Sequence, residues 1–553
     1  MNLFIRNRLV AFWGGLSAAV ILFFIMPAHA QGLPMLTKHI SDTVSNGQTA
    51  WVSLLPESLV LRLNIALPLR NEPELDELLQ QIYDPQSASY HQFLSVEEFT
   101  ERFGPSQEDY DAVINFAEEN GLSVTGTAPN RMIVNVSGTV ANIERAFHVN
   151  MGLYQHPTEN RMFYSPDQEP TVDLPFALWH ITGLDNFSIP RPANLIRVPE
   201  RTGSTTGSGP EGYFIGSDMR AAYYGVTGAA ALTGSGQSVG VMEFAGYNIN
   251  DVNTYFSKVG QKLSVSIVGI STDGSSLSCT GRCDDTEQSL DIEEAISMAP
   301  GLTSVLVFVS DTSDVSIFNA MATSKPLAMS LSCSWGWSPA DPTSDDPIFK
   351  EFAAQGQNLF VASGDSGAYG KRSRYVYPAD DANVTSSGGT DLTTTGPGGA
   401  WSSEKAWSDS GGGISPNGIA IPSYQTTEGV ITSANKGSTI YRNSPDVAAE
   451  ANTDNYICYD GTCAGGWGGT SFAAPRWAGY LALVNQQLAI NGKNPAGFIN
   501  PAIYRIGLGS NYGENFHDIT SGSNGVYSAV KGYDLVTGWG SPNVSGLINT
   551  LAP

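Results

Sequence analysis

Residues 466–480 read GWGGTSFAAPRWAGY, and this stretch indicates how the C-terminal part of the chain folds. Gly468 and Gly469 permit a tight turn, Ser471 follows them, and the apolar run after Ser471 is long enough for a buried helix. Pro475 suits the first turn of such a helix, where its missing N–H costs nothing. We therefore predict that Ser471 lies at a helix N-terminus, where backbone N–H groups and the helix dipole favour a developing negative charge.

The local sequence leaves two interpretations of Ser471. A serine before a helix is often only an N-cap. A nucleophilic serine needs a base to take its proton, commonly a histidine. From Ile181 to Pro553 the chain contains one histidine, His517, in a segment with no visible relation to Ser471. The base for Ser471 therefore has to be sought among other residue types.

From about Tyr213, short apolar strands alternate with helical stretches. The strand-like segments are QSVGVMEF (237–244), TSVLVFVS (303–310), PLAMSLSCSWG (326–336) and QNLFVASGDSG (357–367), and the helical ones include TEQSLDIEEAISMAP (286–300) and PIFKEFAAQG (347–356). This alternation predicts an α/β domain over residues 213–553, with a mainly parallel sheet flanked by helices on both faces. Chemistry in such folds gathers at the carboxyl ends of the strands.

Three carboxyl groups in this domain are candidates for chemistry. Glu287 and Asp291 are four residues apart on a predicted helix, so their side chains share one face and can split their pKa values. The alternative is a solvated acidic face, because four more acidic residues lie nearby. Asp365 ends a predicted strand in a G-D-S-G loop. It forms an ordinary turn there, or it is a protonated acid that donates a hydrogen bond to an oxyanion.

The N-terminal part of the chain, residues 31–190, has a different pattern. Between Leu59 and Leu184, strand-like and helical segments follow the order strand, helix, strand, strand, helix, strand, with the last strand near GLY (152–154). This order predicts a small ferredoxin-like α+β domain. Residues 191–212, RPANLIRVPERTGSTTGSGPEG, have no hydrophobic period and are rich in Gly, Ser, Thr and Pro, so they are predicted to form an accessible linker.

Length and charge limit the classes of protein to consider. A chain of 553 residues is too long for one ordinary core, so two or more domains are expected. The net charge of −25 argues against a nucleic-acid partner, because phosphates would be repelled. This charge is compatible with an acidic working environment, where carboxylates lose their mutual repulsion, but it also occurs where acidity serves only solubility.

The N-terminus and the cysteines both indicate export. Residues 1–30 are basic, then apolar, and end in AHA, which predicts a signal peptide cleaved after Ala30. An uncleaved membrane anchor is the alternative, since the apolar run approaches the roughly 20 residues that span a bilayer. After cleavage we expect a secreted protein, extracellular or periplasmic, without membrane contact. The spacing of the cysteines allows two short-range disulfides, Cys279–Cys283 and Cys458–Cys463, with Cys333 free, and free thiols are the alternative.

Together these features resemble the sedolisins, or serine-carboxyl peptidases, of the pseudomonalisin and kumamolisin type. The family's G-T-S-x-x-x-P motif stands here at residues 469–475, its E-x-x-x-D motif at residues 287–291 and its G-D-S-G loop at residues 364–367. The resemblance covers nearly everything after the signal peptide. It implies a subtilisin-like fold in which a glutamate replaces histidine as the general base.

The resemblance also implies roles for the candidate residues. Ser471 would be the nucleophile, Glu287 its base and Asp291 the partner that orients Glu287, while protonated Asp365 would stabilise the oxyanion. A supporting hydrogen-bond network would include Glu243 and Trp335. One structural Ca²⁺ would be held in the tail, residues 515–543, by the side chains of Asp518 and Asp534 and the backbone carbonyls of Ile519, Val530 and Gly532.

The front domain resembles the family's activation prosegment, most specifically at SASYHQFLSVEEFTERFGPS (87–106). The resemblance implies a zymogen whose prosegment covers the cleft as an intramolecular inhibitor and is cut away in the 191–212 linker. Five of the seven histidines lie in this segment: His39, His91, His148, His156 and His180. We hypothesise that acidification charges them and loosens the inhibitory complex, with chance placement as the alternative.

The sequence therefore predicts a secreted, acid-acting serine-type endopeptidase of the sedolisin family that cleaves proteins or peptides and acts as a monomer. Extended substrates are expected to add as a strand beside SWGWS (334–338) and SGGG (410–413). A tripeptidyl aminopeptidase of the same family and a non-catalytic binding relative are the alternatives. A Ser-His-Asp enzyme is disfavoured, because His517 lacks the H-G-T context of subtilisins and fits better as a surface residue beside the calcium site.

Overall fold

The computed structural model describes residues 32–193, 195–198, 206–281, 283–338, 340, 342–370 and 375–553. The predicted signal peptide and part of the predicted linker lie outside these residues. Within the described ranges, no helix is both long and apolar enough to cross a membrane.

The N-terminal domain is built from short strands and amphipathic helices. In chain order they are β1 (Leu33–Pro34), α1 (Asp42–Ser45), β2 (Trp51–Leu54), β3 (Val60–Ala66), α2 (Glu72–Tyr83), α3 (Val96–Arg102), α4 (Gln107–Glu119), β4 (Ser123–Thr127), β5 (Ile133–Thr139), α5 (Val140–Phe147), β6 (Met151–Gln155), β7 (Met162–Pro166), β8 (Thr171–Val172) and β9 (His180–Thr182). Helices α4 and α5 bury their apolar faces, including Val113 and Phe147, in a core shared with β3 and β5.

The main sheet of this domain has the order β4-β5-β3-β9, with every pair antiparallel. This is the ferredoxin-like arrangement that the sequence predicts, but the last strand is β9 and not the segment near residues 152–154. That segment, β6, pairs instead with β2 and β7 in a second sheet. The prediction missed β9 because a strand of three residues is too short to show an alternating pattern.

Two strands of the predicted linker, β10 (Arg191–Pro192) and β11 (Ile196–Arg197), follow the N-terminal domain. Strand β10 pairs antiparallel with residues 335–336, and β11 pairs antiparallel with residues 467–468. Ala193, between them, is buried. Tertiary pairing therefore orders a segment that has no pattern of its own, while Arg191, Arg197 and Val198 stay exposed. The cleavable role of the linker stays a prediction.

The C-terminal domain contains the remaining elements. They are α6 (Gly216–Tyr223), β12 (Ser238–Glu243), α7 (Ile249–Lys258), β13 (Ser266–Ser271), α8 (Thr286–Met298), β14 (Ser304–Val309), α9 (Asp314–Thr323), β15 (Ser330–Cys333), β16 (Trp335–Gly336), α10 (Pro342–Gln355), β17 (Asn358–Ala362), β18 (Thr385–Thr394), β19 (Trp401–Ala406), β20 (Gly413–Ile414), β21 (Asn443–Ser444), β22 (Val447–Glu450), β23 (Asn455–Tyr459), β24 (Thr462–Gly468), α11 (Ala473–Ile490), α12 (Asn500–Gly507), α13 (Tyr512–Asn515), β25 (Phe516–His517), β26 (Ser541–Pro542) and α14 (Gly546–Leu551).

The central sheet has the order β13-β14-β12-β15-β17-β18-β19, with β22 paired beside β18. Its pairs are parallel except for β18 with β19. Strands β14 and β17 are buried along their whole length, as expected for a sheet covered on both faces. Helices α8 and α11 pack together on one face, and α9 and α10 pack together on the other. The predicted mainly parallel α/β fold is confirmed.

The N-terminal domain packs against the α9–α10 face of this sheet. Leu75 of α2 and Phe99 of α3 join the buried cluster around α9 and α10. Below them, Asn130 donates a hydrogen bond of 2.8 Å to the buried carboxyl group of Glu351, and Arg62 forms an ion pair of 3.1 Å with Asp311. The two domains are thus joined by an apolar contact with polar groups at its centre and edge.

The cysteines pair as the spacing allows. Cys279 is bonded to Cys283 and Cys458 to Cys463, while Cys333 is a buried free thiol. The first bridge lies just before α8 and the second joins β23 to β24.

Candidate active site

Ser471 lies in a single helical turn, residues 470–472, directly before α11, and it is fully buried. The predicted position at a helix N-terminus is confirmed. The glycines before it are needed for close packing. A Cβ on Gly469 would lie 2.7 Å from Oδ2 of Asp365 and 2.9 Å from the side chain of Leu195, and one on Gly468 would press on the backbone of Asn452. Glycine therefore allows two other segments to approach the serine.

Glu287 and Asp291 lie on one face of α8, and both are buried. The Ser471 hydroxyl faces the carboxyl group of Glu287, and its presence moderates the pKa of that group. Burial, and next the charge of Asp291, nevertheless raise the pKa of Glu287 well above its ordinary value. Among the described residues, neither the hydroxyl nor either oxygen of Glu287 makes a hydrogen bond, so both groups are left for a bound substrate. The solvated-face interpretation is excluded, because this part of α8 is buried all round.

Behind Asp291 lies a chain of buried hydrogen bonds. Ser334 donates from Oγ to Oδ1 of Asp291 at 2.7 Å, and the indole Nε1 of Trp335 donates to Oε2 of Glu243 at 3.0 Å. The carboxyl groups of Glu243 and Asp291 face each other, and burial raises the pKa of both. Oε1 of Glu243 and Oδ2 of Asp291 have no hydrogen-bond partner within the described part of the chain, and one proton held between the two groups would satisfy both.

Ser334 is not among the residues that the sequence predicts for this network. The only available signal was its place beside Trp335, at the end of a predicted strand in SLSCSWGW. A serine in such a position is too common to single out without its contact partner. Glu243 and Trp335, by contrast, lie where the resemblance places them.

Asp365 follows β17 and is buried beside Ser471. Its Oδ1 accepts hydrogen bonds from the backbone N–H of Thr470 at 2.6 Å and from the Thr470 hydroxyl at 2.8 Å. Oδ2 has no partner among the described residues. Burial raises the pKa of this carboxyl group to about 7, against the hydrogen bonds from Thr470. Because Oδ1 already accepts twice, a proton on Asp365 belongs on Oδ2, where it can be donated to a bound group.

The elements that carry these residues explain why they meet. Ser471 directly precedes α11, which packs on α8. The carboxyl ends of β12, β15 and β17 bring Glu243, Ser334 and Asp365 to the same edge of the sheet. Such a site joins a hydroxyl with an adjacent carboxyl base and a neutral carboxyl donor. It can perform nucleophilic attack on a carbonyl group without a histidine.

The predicted calcium ligands lie in a separate loop. The Gly532 N–H donates to Asp518 and the Val530 N–H donates to Asp534, each at 3.1 Å, so the two carboxyl groups bracket residues 530–532. Burial raises the pKa of Asp534 to about 7. In the described part of the chain neither aspartate forms a salt bridge, and no group of three or more His, Cys, Asp or Glu side chains is placed to hold a metal.

His517 is not the surface residue that the sequence suggested. Its ring is partly buried and stacks on Trp401 with ring centres 3.9 Å apart, and burial lowers its pKa to about 4. No contact between described residues joins it to Ser471. Sequence reasoning could not find the stack, because Trp401 is more than a hundred residues away in the chain.

Comparison with known proteins agrees with these observations. Residues 48–187 match the family described as "Pro-kumamolisin, activation domain", and residues 309–497 match the subtilase family. The chain is 31% identical over 495 residues to kumamolisin from Bacillus sp. (strain MN-32), with 83% of this chain and 86% of the relative covered. It is 28% identical over 521 residues to sedolisin from Pseudomonas sp. (strain 101), covering 87% and 86%.

A solved structure gives the same result for the fold. Pseudomonas sedolisin (serine-carboxyl proteinase), complexed with two molecules of pseudo-iodotyrostatin, matches 63% of this chain and 98% of its own with 27% identity and a TM-score of 0.53. The activation-domain match accounts for the N-terminal domain, and the subtilase match and this fold account for the C-terminal one. The chain therefore belongs to the sedolisin family of serine-type peptidases and carries that family's activation prosegment in front of the peptidase domain.

Proposed function

We propose that this peptidase is a secreted, acid-acting endopeptidase made as a self-processing zymogen, with Ser471 as nucleophile and Glu287 as general base. The observation that carries the proposal is that the buried Ser471 hydroxyl faces the Glu287 carboxyl group. Beside them lies Oδ2 of Asp365, which has no partner among the described residues. In this mechanism Glu287 takes the serine proton as Oγ attacks the peptide carbonyl. It then gives that proton to the leaving amine, and an acyl-enzyme remains for water to hydrolyse.

The remaining groups have supporting roles in this proposal. Asp291, held by Ser334 and sharing a proton with Glu243, keeps the carboxyl group of Glu287 directed at Ser471. General-base catalysis of this kind contributes about 10²–10⁴-fold to the rate. The protonated Oδ2 of Asp365 and the N–H of Ser471 would donate to the oxyanion, and each such donor contributes about 10²–10³-fold.

The path of the linker supports the self-processing part of the proposal. Strand β10 pairs with β16, the Ala193 N–H donates to the Ser334 carbonyl at 3.1 Å, and the side chain of Leu195 contacts Gly469. The two neighbours of residue 194 thus lie on either side of the site. We propose that the first cut breaks one of the two peptide bonds of Asn194, inside the predicted 191–212 linker.

Endopeptidase action is preferred over tripeptidyl-aminopeptidase action because polypeptide occupies both sides of Ser471. Arg191 and Pro192 lie on β16, and the chain before them continues back into the prosegment. The pairing with β16 agrees with the predicted substrate strand beside SWGWS. The SGGG segment, by contrast, is buried, and its substrate role stays a prediction. A peptide blocked at its N-terminus distinguishes the two activities, since a tripeptidyl enzyme needs a free amine and an endopeptidase does not.

A calcium ion in the C-terminal loop is part of the proposal. Asp518 and Asp534 would hold it with the carbonyls of Ile519, Val530 and Gly532. Two acidic groups on one glycine-containing loop, with no salt bridge to any described residue, suit a hard divalent cation. The ion would neutralise the carboxylates and fix the loop. Addition of EDTA should then lower the melting temperature, and Asp534→Asn should remove the effect of EDTA.

Secretion rests on the signal-peptide pattern of residues 1–30, and the two disulfides suit an oxidising compartment. Mass spectrometry of the exported precursor should find Gln31 at its N-terminus. A precursor retained in the membrane with its first residues intact would support the anchor alternative.

One experiment tests the activity directly. The purified precursor is incubated at about pH 3 to 7, and mass loss and peptide cleavage are followed for the native protein, Ser471→Ala and Glu287→Ala. Both variants should lose processing and cleavage, while Glu428→Ala, an exposed acidic residue of the same domain, should keep both. Full activity of Glu287→Ala would overturn the mechanism, and inactivity of the native protein on every peptide would favour the non-catalytic alternative.

A further inference from the structure

Strand β24, which leads into Ser471, carries a second chain segment along its edge. Ile196 pairs with Gly468 and Arg197 with Trp467 in antiparallel register. The Val198 N–H donates to the Gly466 carbonyl at 2.8 Å. An extended peptide is therefore bound here mainly through its backbone, by addition of a strand.

The side chain of Leu195 enters an apolar recess at the C-terminal end of β24. Its walls are Leu290, Ile457 and Phe472, all fully buried, and we call this recess the Leu195 socket. Phe472 follows Ser471 directly, and Leu290 lies on α8 between Glu287 and Asp291. The socket is thus built on the same two elements as the proposed nucleophile and base.

Small residues next to the socket allow the peptide to approach closely. A Cβ on Gly466 would lie 2.2 Å from the Val198 carbonyl oxygen, and one on Gly469 would lie 2.9 Å from Leu195. Beyond them, the guanidinium group of Arg197 lies over the ring of Trp467, 5.6 Å from its centre. Along the peptide, the edge of β24 therefore offers an apolar recess for residue 195, then a backbone track for residues 196–198 with an aromatic face for the cation at residue 197.

The direction of the chain assigns this surface to one side of the cut. The segment passes from Ala193 on the β16 side to Leu195 on the β24 side, so residues C-terminal to the broken bond lie along β24. We propose that the Leu195 socket selects the leaving half of the substrate. It accepts a leucine-sized aliphatic side chain, and β24 binds the residues that follow as an antiparallel strand. The substrate class is an extended peptide with an aliphatic residue at this place. The inference rests on the proposed peptidase function.

The test uses peptides that copy residues 187–200, FSIPRPANLIRVPE, and the mature enzyme obtained by processing of the native precursor. Position 195 is changed from leucine to alanine and to aspartate, and kcat/KM is measured at acid pH. We expect a fall of about 10-fold to 100-fold for alanine, and a larger one for aspartate, because apolar pockets discriminate by this amount. A matched peptide with Ile189→Ala should be cleaved nearly as well as the parent.

A variant enzyme tests the socket itself. Ile457→Ala enlarges the recess, so the ratio of kcat/KM for phenylalanine to that for leucine at position 195 should rise at least several-fold. The ratio is independent of any general loss of active enzyme. If Ile457→Ala fails to fold, Leu195→Asp in the precursor replaces it. That change should slow self-processing, while Leu195→Ile should not.

The outcomes separate the inference from the function on which it rests. Equal cleavage of the leucine, alanine and aspartate peptides would overturn the socket and leave the peptidase function intact. Cleavage of none of the peptides by a fully processed enzyme would overturn the function. An unchanged phenylalanine-to-leucine ratio in Ile457→Ala would show that another surface selects this residue.

Discussion

Asp365 shows how one buried carboxyl group can set the upper pH limit of activity. Burial raises its pKa to about 7, so the group is neutral below that pH and loses its proton above it. Only the neutral form can donate from Oδ2 to an oxyanion. Activity should therefore fall as the pH rises through about 7, while the requirement for ionised Glu287 limits it at the acid end.

The change Asp365→Asn tests this assignment. Asparagine keeps an uncharged donor but cannot ionise, so the variant should retain part of the activity and lose the alkaline fall in kcat/KM. Asp365→Ala should instead lower kcat about 10²–10³-fold at every pH. Asp409 is the matched control, because its charge helps to raise the pKa of Asp365. Asp409→Asn should move the alkaline limb to lower pH, and an identical limb in all variants would contradict the role.

At the scale of elements, the site depends on how α8 and α11 are held together. Arg476 of α11 donates from Nε to Glu294 of α8 at 2.7 Å and from a terminal nitrogen to Asn455 of β23 at 2.8 Å, and all three groups are buried. Ser471 precedes α11 and Glu287 lies on α8. The ion pair therefore fixes the distance between the proposed nucleophile and its base.

Removal of one partner of this pair should be costly. Glu294→Ala leaves an uncompensated guanidinium group in the interior, so we expect a loss of about 3–5 kcal/mol in the free energy of unfolding. The control is Lys405→Ala, which breaks an exposed pair with Asp391 and should cost about 0–1 kcal/mol. Urea unfolding of both variants in the Ser471→Ala background measures the difference. Equal losses would show that the buried pair does not hold the helices.

Elements differ in how far they could be predicted from sequence. Helices α8 and α11 and strand β17 have enough length or apolar content to be recognised, and the residues Glu287, Asp365 and Ser471 were predictable because they lie at set places on them. Strands β9 and β11 have two or three residues and no pattern, so only tertiary pairing reveals them. The Leu195 socket and the bond from Ser334 to Asp291 join residues far apart in the chain, which a single sequence cannot show.

The molecule as a whole carries buried carboxyl groups whose pKa is raised, and this should make the fold more stable in acid. Burial raises the pKa of Glu351 and that of Glu450 to about 8. Such groups stay protonated in the folded state at a pH where the unfolded chain has lost the proton. Their stabilising contribution is complete below the unfolded pKa and is lost as the pH rises through the folded one.

The melting temperature of the Ser471→Ala precursor should therefore fall between about pH 5 and pH 8. For one group, each pH unit between its pKa in the unfolded chain and its pKa in the folded one lowers the free energy of unfolding by about 1.4 kcal/mol. Glu351→Gln keeps a neutral group beside Asn130, so part of the fall should disappear in this variant. Glu108→Gln changes an exposed glutamate and should leave the curve as it is. A melting temperature that rises over the same range would contradict the argument.

The prosegment histidines differ in whether their contacts lie inside the prosegment or reach the peptidase domain. His39 and His180 stack on each other inside the prosegment, and His148 is hydrogen-bonded to Thr171 of the same domain. His156 stacks on Phe187 of the same segment. At His91 a residue of the peptidase domain makes a direct contact, because Asn494 donates to the His91 carbonyl at 2.9 Å. The hypothesis that acidification loosens the prosegment can therefore be tested first at His91.

The surroundings of His91 favour its neutral form. Burial and the nearby Arg505 lower its pKa to about 4, and Lys493 lies in the same recess. Once the prosegment leaves, the ring should return toward its ordinary pKa of about 6.5. The depressed value means that the bound state favours the neutral ring. Its contribution to binding is complete above about pH 6.5 and is lost as the pH falls toward about 4.

The change His91→Gln should therefore lower the pH at which the precursor begins to process itself, because glutamine stays neutral and keeps the prosegment bound in acid. His148→Gln is the matched control, since His148 is exposed and its partner lies within the prosegment, and it should leave the processing pH unchanged. The measurement is the fraction of precursor cut after a fixed time across a pH series. An equal processing pH in both variants would contradict the role of His91 in acid activation.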